Sequence, residues 1–389
     1  MVRSLGIDPG TGSFDLVLIE GDRVLWEKSI PTIEVARNPS VLLDSIREAG
    51  QVDIIVGPSG YGSPIICNDE IVDPGKYALH VLLLSRREDI EEGVKRGEIG
   101  IMVYKAIVDV VVDFWREKLP VCYIPSVILL PTIPLYRKIN KIDMGTADKL
   151  AVTALAVYDQ ARRLGISYGE VDFILVEMGF GYNAVIRVVN GVVVDGLGGT
   201  LTPNGFLTVG SLDGEAVVMG RYWSRSDVFY GGVSSICKTT SIEEALEKRR
   251  EDELCSEAFK SMYYGIVRNI HALIGTTGKP CEIILSGRLT RYDEIYSEIK
   301  EYLEEIAPVA KLQGLRNARI SKEAGQGYAL IGEGLLNGFF KDLIEHMKIR
   351  EARGTVLDYM FHPRLSKVKE ELRDILKESV KPSIWSRIL

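Results

Sequence analysis

Ser4-Leu5-Gly6-Ile7-Asp8 runs straight into Pro9-Gly10-Thr11-Gly12-Ser13 and then into the apolar stretch Phe14 to Ile19. The order reads as strand, turn, strand. Gly10 and Gly12 have no Cβ, so backbone N–H groups can turn toward an anion, while Thr11 and Ser13 add hydroxyl donors. Asp8, at the end of the first strand, offers a carboxylate for Mg²⁺. The ligand these parts imply is a nucleoside triphosphate. Gly21-Asp22 then returns the chain through Arg23 to Glu27, placing the turn at the corner of an antiparallel meander. A Walker loop would end in Gly-Lys-Ser/Thr, and a dinucleotide fold would place a helix directly after the glycines; this stretch does neither.

The same order returns farther along the chain. Phe173 to Glu177 is a short apolar strand that ends in Glu177-Met178-Gly179-Phe180-Gly181-Tyr182-Asn183 and continues through Ala184 to Val189. Asn190-Gly191 is a two-residue hairpin turn, Val192 to Asp195 comes back, and Gly196 to Thr200 closes the unit. Two such units imply two related domains facing each other. A third signal is Glu282-Ile283-Ile284-Leu285-Ser286-Gly287-Arg288, a buried-type strand with a Ser-Gly turn ahead of a helical pattern from Asp293 to Glu305. That glycine lets backbone approach a base or ribose closely, and the helix start favours negative charge. Each turn alone is also ordinary connection chemistry, so the argument lies in their order.

With these motifs in sequence, the chain resembles the superfamily of acetate and sugar kinases, actin and the actin-like chaperone ATPases. Asp8 to Ser13 looks like its first phosphate motif, Glu177 to Asn183 like its second and Ile283 to Arg288 like its adenosine motif. The helices opened by Thr146-Ala147-Asp148-Lys149 and by Gly325-Gln326-Gly327 look like its two connecting helices, which cross at the hinge and need small side chains. More narrowly, the chain is similar to a mainly archaeal family described as predicted butyrate kinases. The resemblance covers about residues 1–340 and implies an α/β fold of two ribonuclease H-like domains around a nucleotide cleft. Expected bounds are 1–145 for the first domain, 146–168 for a connecting helix, 169–324 for the second domain, 325–345 for the second connecting helix and 346–389 for a helical tail. Two positions depart from the family pattern: Glu177 stands where Asp is usual, and Ser286 stands where a second glycine is commoner.

What the resemblance implies chemically is transfer of a phosphoryl group from ATP, with Mg²⁺ at Asp8, to a small-molecule acceptor. The nucleotide contacts would be Gly10, Thr11, Gly12, Ser13, Glu177, Gly179, Gly181, Tyr182, Asn183, Ser286, Gly287 and Arg288. Were the acceptor an alcohol, a carboxylate would have to take its proton, and Asp148, after a Gly-Thr turn at a helix start, is the candidate base. The helix dipole alone also favours an acidic residue there. A carboxylate acceptor, as the butyrate kinase label implies, is already ionised and asks for positive charge instead. Arg137 and Arg187 are candidates for that clamp. The loop Gly57-Pro58-Ser59-Gly60-Tyr61, at the carboxyl end of a parallel strand, offers Ser59 and Tyr61 to an acceptor pocket. The competing reading is a nucleotide-binding regulator or an ATPase activator, in which ATP sets domain closure and no small molecule is phosphorylated.

Composition sets the outer bounds. A chain of 389 residues fits two domains, and a formal net charge of −7 argues against a nucleic-acid or membrane-surface partner. The longest apolar stretch, Ile99 to Phe114, is interrupted by Lys105 and Asp109, so no segment is expected to span a membrane. Four histidines lack the spacing that puts two imidazoles on one helical face, which speaks against a zinc site. Five scattered cysteines without a C-x-x-C pair read as buried thiols in a reducing cytoplasm. At the C-terminus, Leu365, Val368, Leu372, Ile375 and Leu376 make an apolar stripe on a charged helix, which is expected to pack on the body or on a second copy as a homodimer.

Overall fold

Strand β1 (Arg3–Pro9) is buried along its whole interior, as a strand covered on both faces must be. It lies at the centre of a sheet in a computed structural model that describes residues 1–388. β2 (Ser13–Glu20) and β3 (Arg23–Pro31) complete an antiparallel meander on one side of it. On its other side β4 (Ile54–Val56) runs parallel, followed by β5 (Ile66–Cys67) and β6 (Val121–Tyr123), in the order β3-β2-β1-β4-β6-β5. The second sheet repeats the plan. β7 (Phe173–Met178) pairs antiparallel with β8 (Asn183–Val189), which pairs with β9 (Val192–Leu197), while β10 (Glu282–Ser286) and β11 (Val309–Lys311) follow in parallel on the far side of β7. Both sheets therefore carry a glycine turn between the first and second strands of a meander, and a parallel strand beside the first.

Helix α1 (Ile99–Arg116) covers the first sheet and α3 (Glu253–Thr277) the second. Between the sheets lie α2 (Ala147–Leu164) and α4 (Glu323–Leu335), both almost wholly buried. They cross at Gly327, where a Cβ would run into the backbone carbonyl of Ala151. The same helix rests on β1, since a Cβ at Gly6 would strike the backbone of Gly325 and Ala329. Only residues without a side chain allow backbones this close.

The C-terminal helix α5 (Ser366–Ser379) docks on the first sheet's side of the molecule. Leu372, Leu376, Val380, Ile384 and Ile388 share one apolar cluster with Leu5, Ile7, Tyr77 and Phe114. Backbone pairing of Ile71 with Val380 and bonds from Arg387 to the Ile65 carbonyl (2.8 Å) and Glu70 (3.0 Å) fix it there. No helix among the described residues is long and apolar enough to cross a membrane.

The cysteines correct the sequence reading. Cys67 faces Cys122 across the β5–β6 pair and the two form a disulfide; Cys237 and Cys255 form another, and the remaining Cys281 is exposed rather than buried. Strand pairing and helix docking bring these pairs together, and neither leaves a trace in linear spacing.

Candidate functional site

The turns at the ends of β1 and β7 open onto one cleft of about 1030 Å³ between the two halves. Gly10, Thr11 and Gly12 line it from one side and Gly179, Phe180, Gly181 and Tyr182 from the other. The two turns nearly touch: a side chain on Gly181 would begin 3.3 Å from Thr11 Oγ1. Ser286, Gly287 and Arg288 also line the cleft, and Arg288 reaches across it to donate to Ser13 Oγ at 3.1 Å. Gly287 is left-handed, at φ +98°, and a Cβ there would strike the carbonyl of Met178, so this turn needs glycine. Ser286 Oγ is buried without a hydrogen-bond partner.

Carboxylates gather at the phosphate end, and each group is met by a lysine. Lys322, the residue that caps α4, places Nζ 2.5 Å from Asp8, 3.2 Å from Asp15 and 3.1 Å from the Ser13 carbonyl. Lys149, in the first turn of α2, places Nζ 2.8 Å from Asp148 and 2.6 Å from Glu177. Thr146 Oγ1 donates to the other oxygen of Asp148. Burial pushes Asp8 above its ordinary range, against the pull of Lys322, and burial likewise raises Glu177 despite Lys149. At Asp148 the balance is reversed: burial pushes up, but Lys149 and Thr146 outweigh it and hold the carboxyl below its ordinary range. Asp143 completes the group, raised by burial and accepting from the Gly145 amide at 3.0 Å.

Among the described residues no three His, Cys, Asp or Glu side chains cluster tightly enough to hold a metal ion by themselves. The donors present nevertheless fit Mg²⁺, which retains waters and takes one or two protein carboxylates alongside phosphate oxygens. Asp8, with Asp148 or Glu177 across the cleft, would supply them.

The other end of the cleft is apolar. Tyr61, Leu83, Val103, Tyr104, Ile107 and Phe229 line it. Behind this wall the guanidinium of Arg225 lies 5.4 Å from the Tyr61 ring centre, 5.8 Å from that of Tyr104 and 5.9 Å from that of Phe229. Its Nη2 donates to Tyr61 Oη at 2.9 Å, and its Nε is buried without a partner.

The remaining sequence candidates lie elsewhere. Ser59 is fully buried and holds loops together: its hydroxyl donates to the Gly57 carbonyl at 2.9 Å and accepts from the Ile124 amide at 3.0 Å. Arg137 points away from the cleft, bonded to the Val194 carbonyl at 2.8 Å and paired with Asp195 at 3.7 Å. Arg187 is buried inside the second sheet's side against Asp172 at 2.7 Å. Asn183 and Ser13 sit just behind the turns, Asn183 donating to the Asn204 carbonyl at 3.0 Å. Tyr61 does line the cleft. Sequence reasoning passed over Lys149, Lys322 and Arg225 as functional residues; only the Lys149 position, directly after Asp148, stood within a motif.

This architecture has counterparts. The acetate kinase of Porphyromonas gingivalis superposes with a TM-score of 0.56 at 13% identity, covering 86% of this chain and 100% of that one. A propionate kinase from Francisella tularensis gives 0.54 at 13% identity, covering 85% and 98%. The fold is thus the two-domain actin-like ATPase fold of the acetate kinases. In sequence, a protein named probable butyrate kinase from Listeria welshimeri is 25% identical over 351 residues, which cover 78% of this chain and 90% of that protein. One of the same name from Listeria monocytogenes is 26% identical over 347 residues, with the same coverage. A family model matches residues 6–362, and by that match the chain belongs to the family described as "Protein of unknown function (DUF1464)".

Proposed function

We propose that this protein is a phosphotransferase that moves the γ-phosphoryl group of ATP onto the carboxylate of a small organic acid, a butyrate-kinase-like reaction. The observation that carries the choice of acceptor is Arg225. Its guanidinium, held behind the cleft wall among three aromatic rings and bonded to Tyr61, pairs with no carboxylate among the described residues, so it leaves a positive charge beside the apolar end that would favour an anionic substrate. The apolar wall of Leu83, Val103 and Ile107 suits the acid's hydrocarbon tail. Relatives named probable butyrate kinases support the same reading.

An ionised acid needs no general base, so alignment and charge are what the chain must supply. The facing glycine turns would cradle the phosphates with backbone N–H groups, and Gly287 and Ser286 would take the adenosine. Mg²⁺, held through Asp8 and a facing carboxylate, would neutralise phosphate oxygens. Asp148 then orients Lys149 rather than removing a proton.

The test is ATP turnover with Mg²⁺ across short-chain acids, sugars and polyols, with acyl phosphate trapped by hydroxylamine. Acid-dependent trapping is expected. Arg225→Met, which removes that charge, should raise KM for the acid by about 10-fold, roughly 1.4 kcal/mol of lost attraction, and leave ATP affinity unchanged. ATP binding without phosphorylation of any acceptor would replace this reading with that of a nucleotide-binding regulator.

A further inference from the structure

We infer that Lys149 contacts the transferred phosphoryl group and offsets its charge during transfer. The inference rests on the phosphotransferase reading above and assigns a catalytic residue within it. Three lysines line the cleft. Lys238 is exposed, and Lys322 Nζ is ringed by three oxygens: it donates to Asp8 and to the Ser13 carbonyl and stands 3.2 Å from Asp15. Lys149 differs. Its side chain is 13% exposed; Nζ donates to Asp148 and is ion-paired with Glu177 at 2.6 Å, and no third partner exists among the described residues. An ammonium group has three donors, so one remains for the cleft that Lys149 lines.

Its position is unfavourable without a function. Lys149 stands in the first turn of α2, where the helix dipole disfavours a cation, and burial adds a further penalty. Asp148 and Glu177 hold it there and keep it protonated, well above the ordinary lysine range. Those two carboxylates come from different elements: Glu177 from the strand that leads into the second phosphate turn and Asp148 from the first turn of the hinge helix, and both line the phosphate end of the cleft. An ammonium that touches both stands at that end. In the transfer, the bond between the γ-phosphorus and the β–γ bridging oxygen breaks, with its electron pair leaving on ADP. The bond from the acid's carboxylate oxygen to phosphorus forms. No proton moves, and Lys149 keeps all of its own while its free donor turns to an equatorial oxygen of the group in flight.

The alternative is that Lys149 only neutralises its two carboxylates, and the test separates the two roles. Lys149→Met is compared with Lys149→Arg and with Lys149→Met/Glu177→Gln, in which one stranded negative charge is removed so that the fold is spared. Single-turnover transfer and the affinities for ADP and ATP by calorimetry are measured for each, with thermal melts as a control. We expect Lys149→Met to slow transfer on the order of 10²–10³-fold, the loss seen when one transition-state donor is removed. Lys149→Arg should restore part of it, and the double variant should stay slow. The preference for ATP over ADP should fall at least about tenfold in both methionine variants while ADP affinity is kept. Recovery of the double variant to the rate of Glu177→Gln alone, or an unchanged ATP/ADP ratio, overturns the inference. A wild-type protein that binds nucleotide but phosphorylates no acid refutes the proposed reaction instead, and the ATP/ADP ratio still decides whether Lys149 meets the terminal phosphate.

Discussion

At the first glycine turn the carboxylate of Asp8 is met by Lys322, which lies 314 residues away along the chain, whereas at the second Glu177 is met by Lys149 on the helix that leads into its strand. The turns share a plan of strand, carboxylate and spaced glycines, yet their counter-charges come from different connecting helices. Lys322 is ringed by the first domain's own groups, donating to Asp8 and the Ser13 carbonyl and standing 3.2 Å from Asp15; Lys149 donates to Asp148 at the helix start and is ion-paired with Glu177 at the facing turn. The first arrangement anchors. The second keeps a donor in reserve, and the longer side chain of Glu177 is what reaches it.

Breaking the anchor should have the largest effect. Lys322→Met strands Asp8 and Asp15, of which Asp15 is 1% exposed, and should cost about 3–5 kcal/mol in denaturant unfolding. A loss below about 1 kcal/mol would mean that the first turn does not depend on its distant lysine. Next is Gly10→Val. Its side chain would enter the space held by Lys322 Nζ at the phosphate-facing turn, so ATP affinity should fall about 100-fold, roughly 2.7 kcal/mol, and the displaced lysine should lower the melting temperature as well. Normal binding would remove this turn from the phosphate site.

A smaller change sharpens the contrast at the second turn. Glu177→Asp withdraws the carboxylate by one methylene while Lys149 keeps Asp148, so the expected loss in stability is about 1.5 kcal/mol, one charge-assisted bond. A loss as large as that of Lys322→Met would show the two arrangements to be equivalent. Smallest is an acid-limb effect. Lys149 and Thr146 hold Asp148 below its ordinary value in the folded chain, so its contribution is complete above the unfolded value and is lost as pH falls through the lower folded one. The stability difference between wild type and Asp148→Asn should thus be constant from neutrality to about pH 4 and shrink below it; a difference that grows on acidification would reverse the assigned sign.

Both glycine turns, the Ser286-Gly287 turn and the crossing helices could be read from the chain because each is local: a carboxylate ends a strand, glycines follow, and a second strand returns. Gly325 and Gly327 announced close helix contact in the same way, and Gly327 meets Ala151. What could not be read was the pairing between remote positions. Lys322 carries no motif, and Arg225 sits in an irregular stretch whose meaning appears only when Tyr61 and Tyr104 of the other half surround it. Ser59 and Arg137 failed to reach the cleft for the converse reason. Residue type and neighbourhood in sequence suited binding, but the backbone groups of Gly57, Ile124 and Val194 had already claimed their polar atoms.

The docking of the last helix sets an order on synthesis. The strands of the second sheet, from Phe173 to Lys311, form one uninterrupted stretch, whereas the core begun by Leu5 and Ile7 is closed by Leu372, Leu376 and Val380. On a ribosome the half that starts first therefore finishes last. By the time Phe340 has been made, the second half has everything it needs to collapse as a unit, while the first still exposes the apolar floor that α5 will cover. The nascent chain then holds a C-terminal half whose strands are complete beside an N-terminal core that still lacks α5.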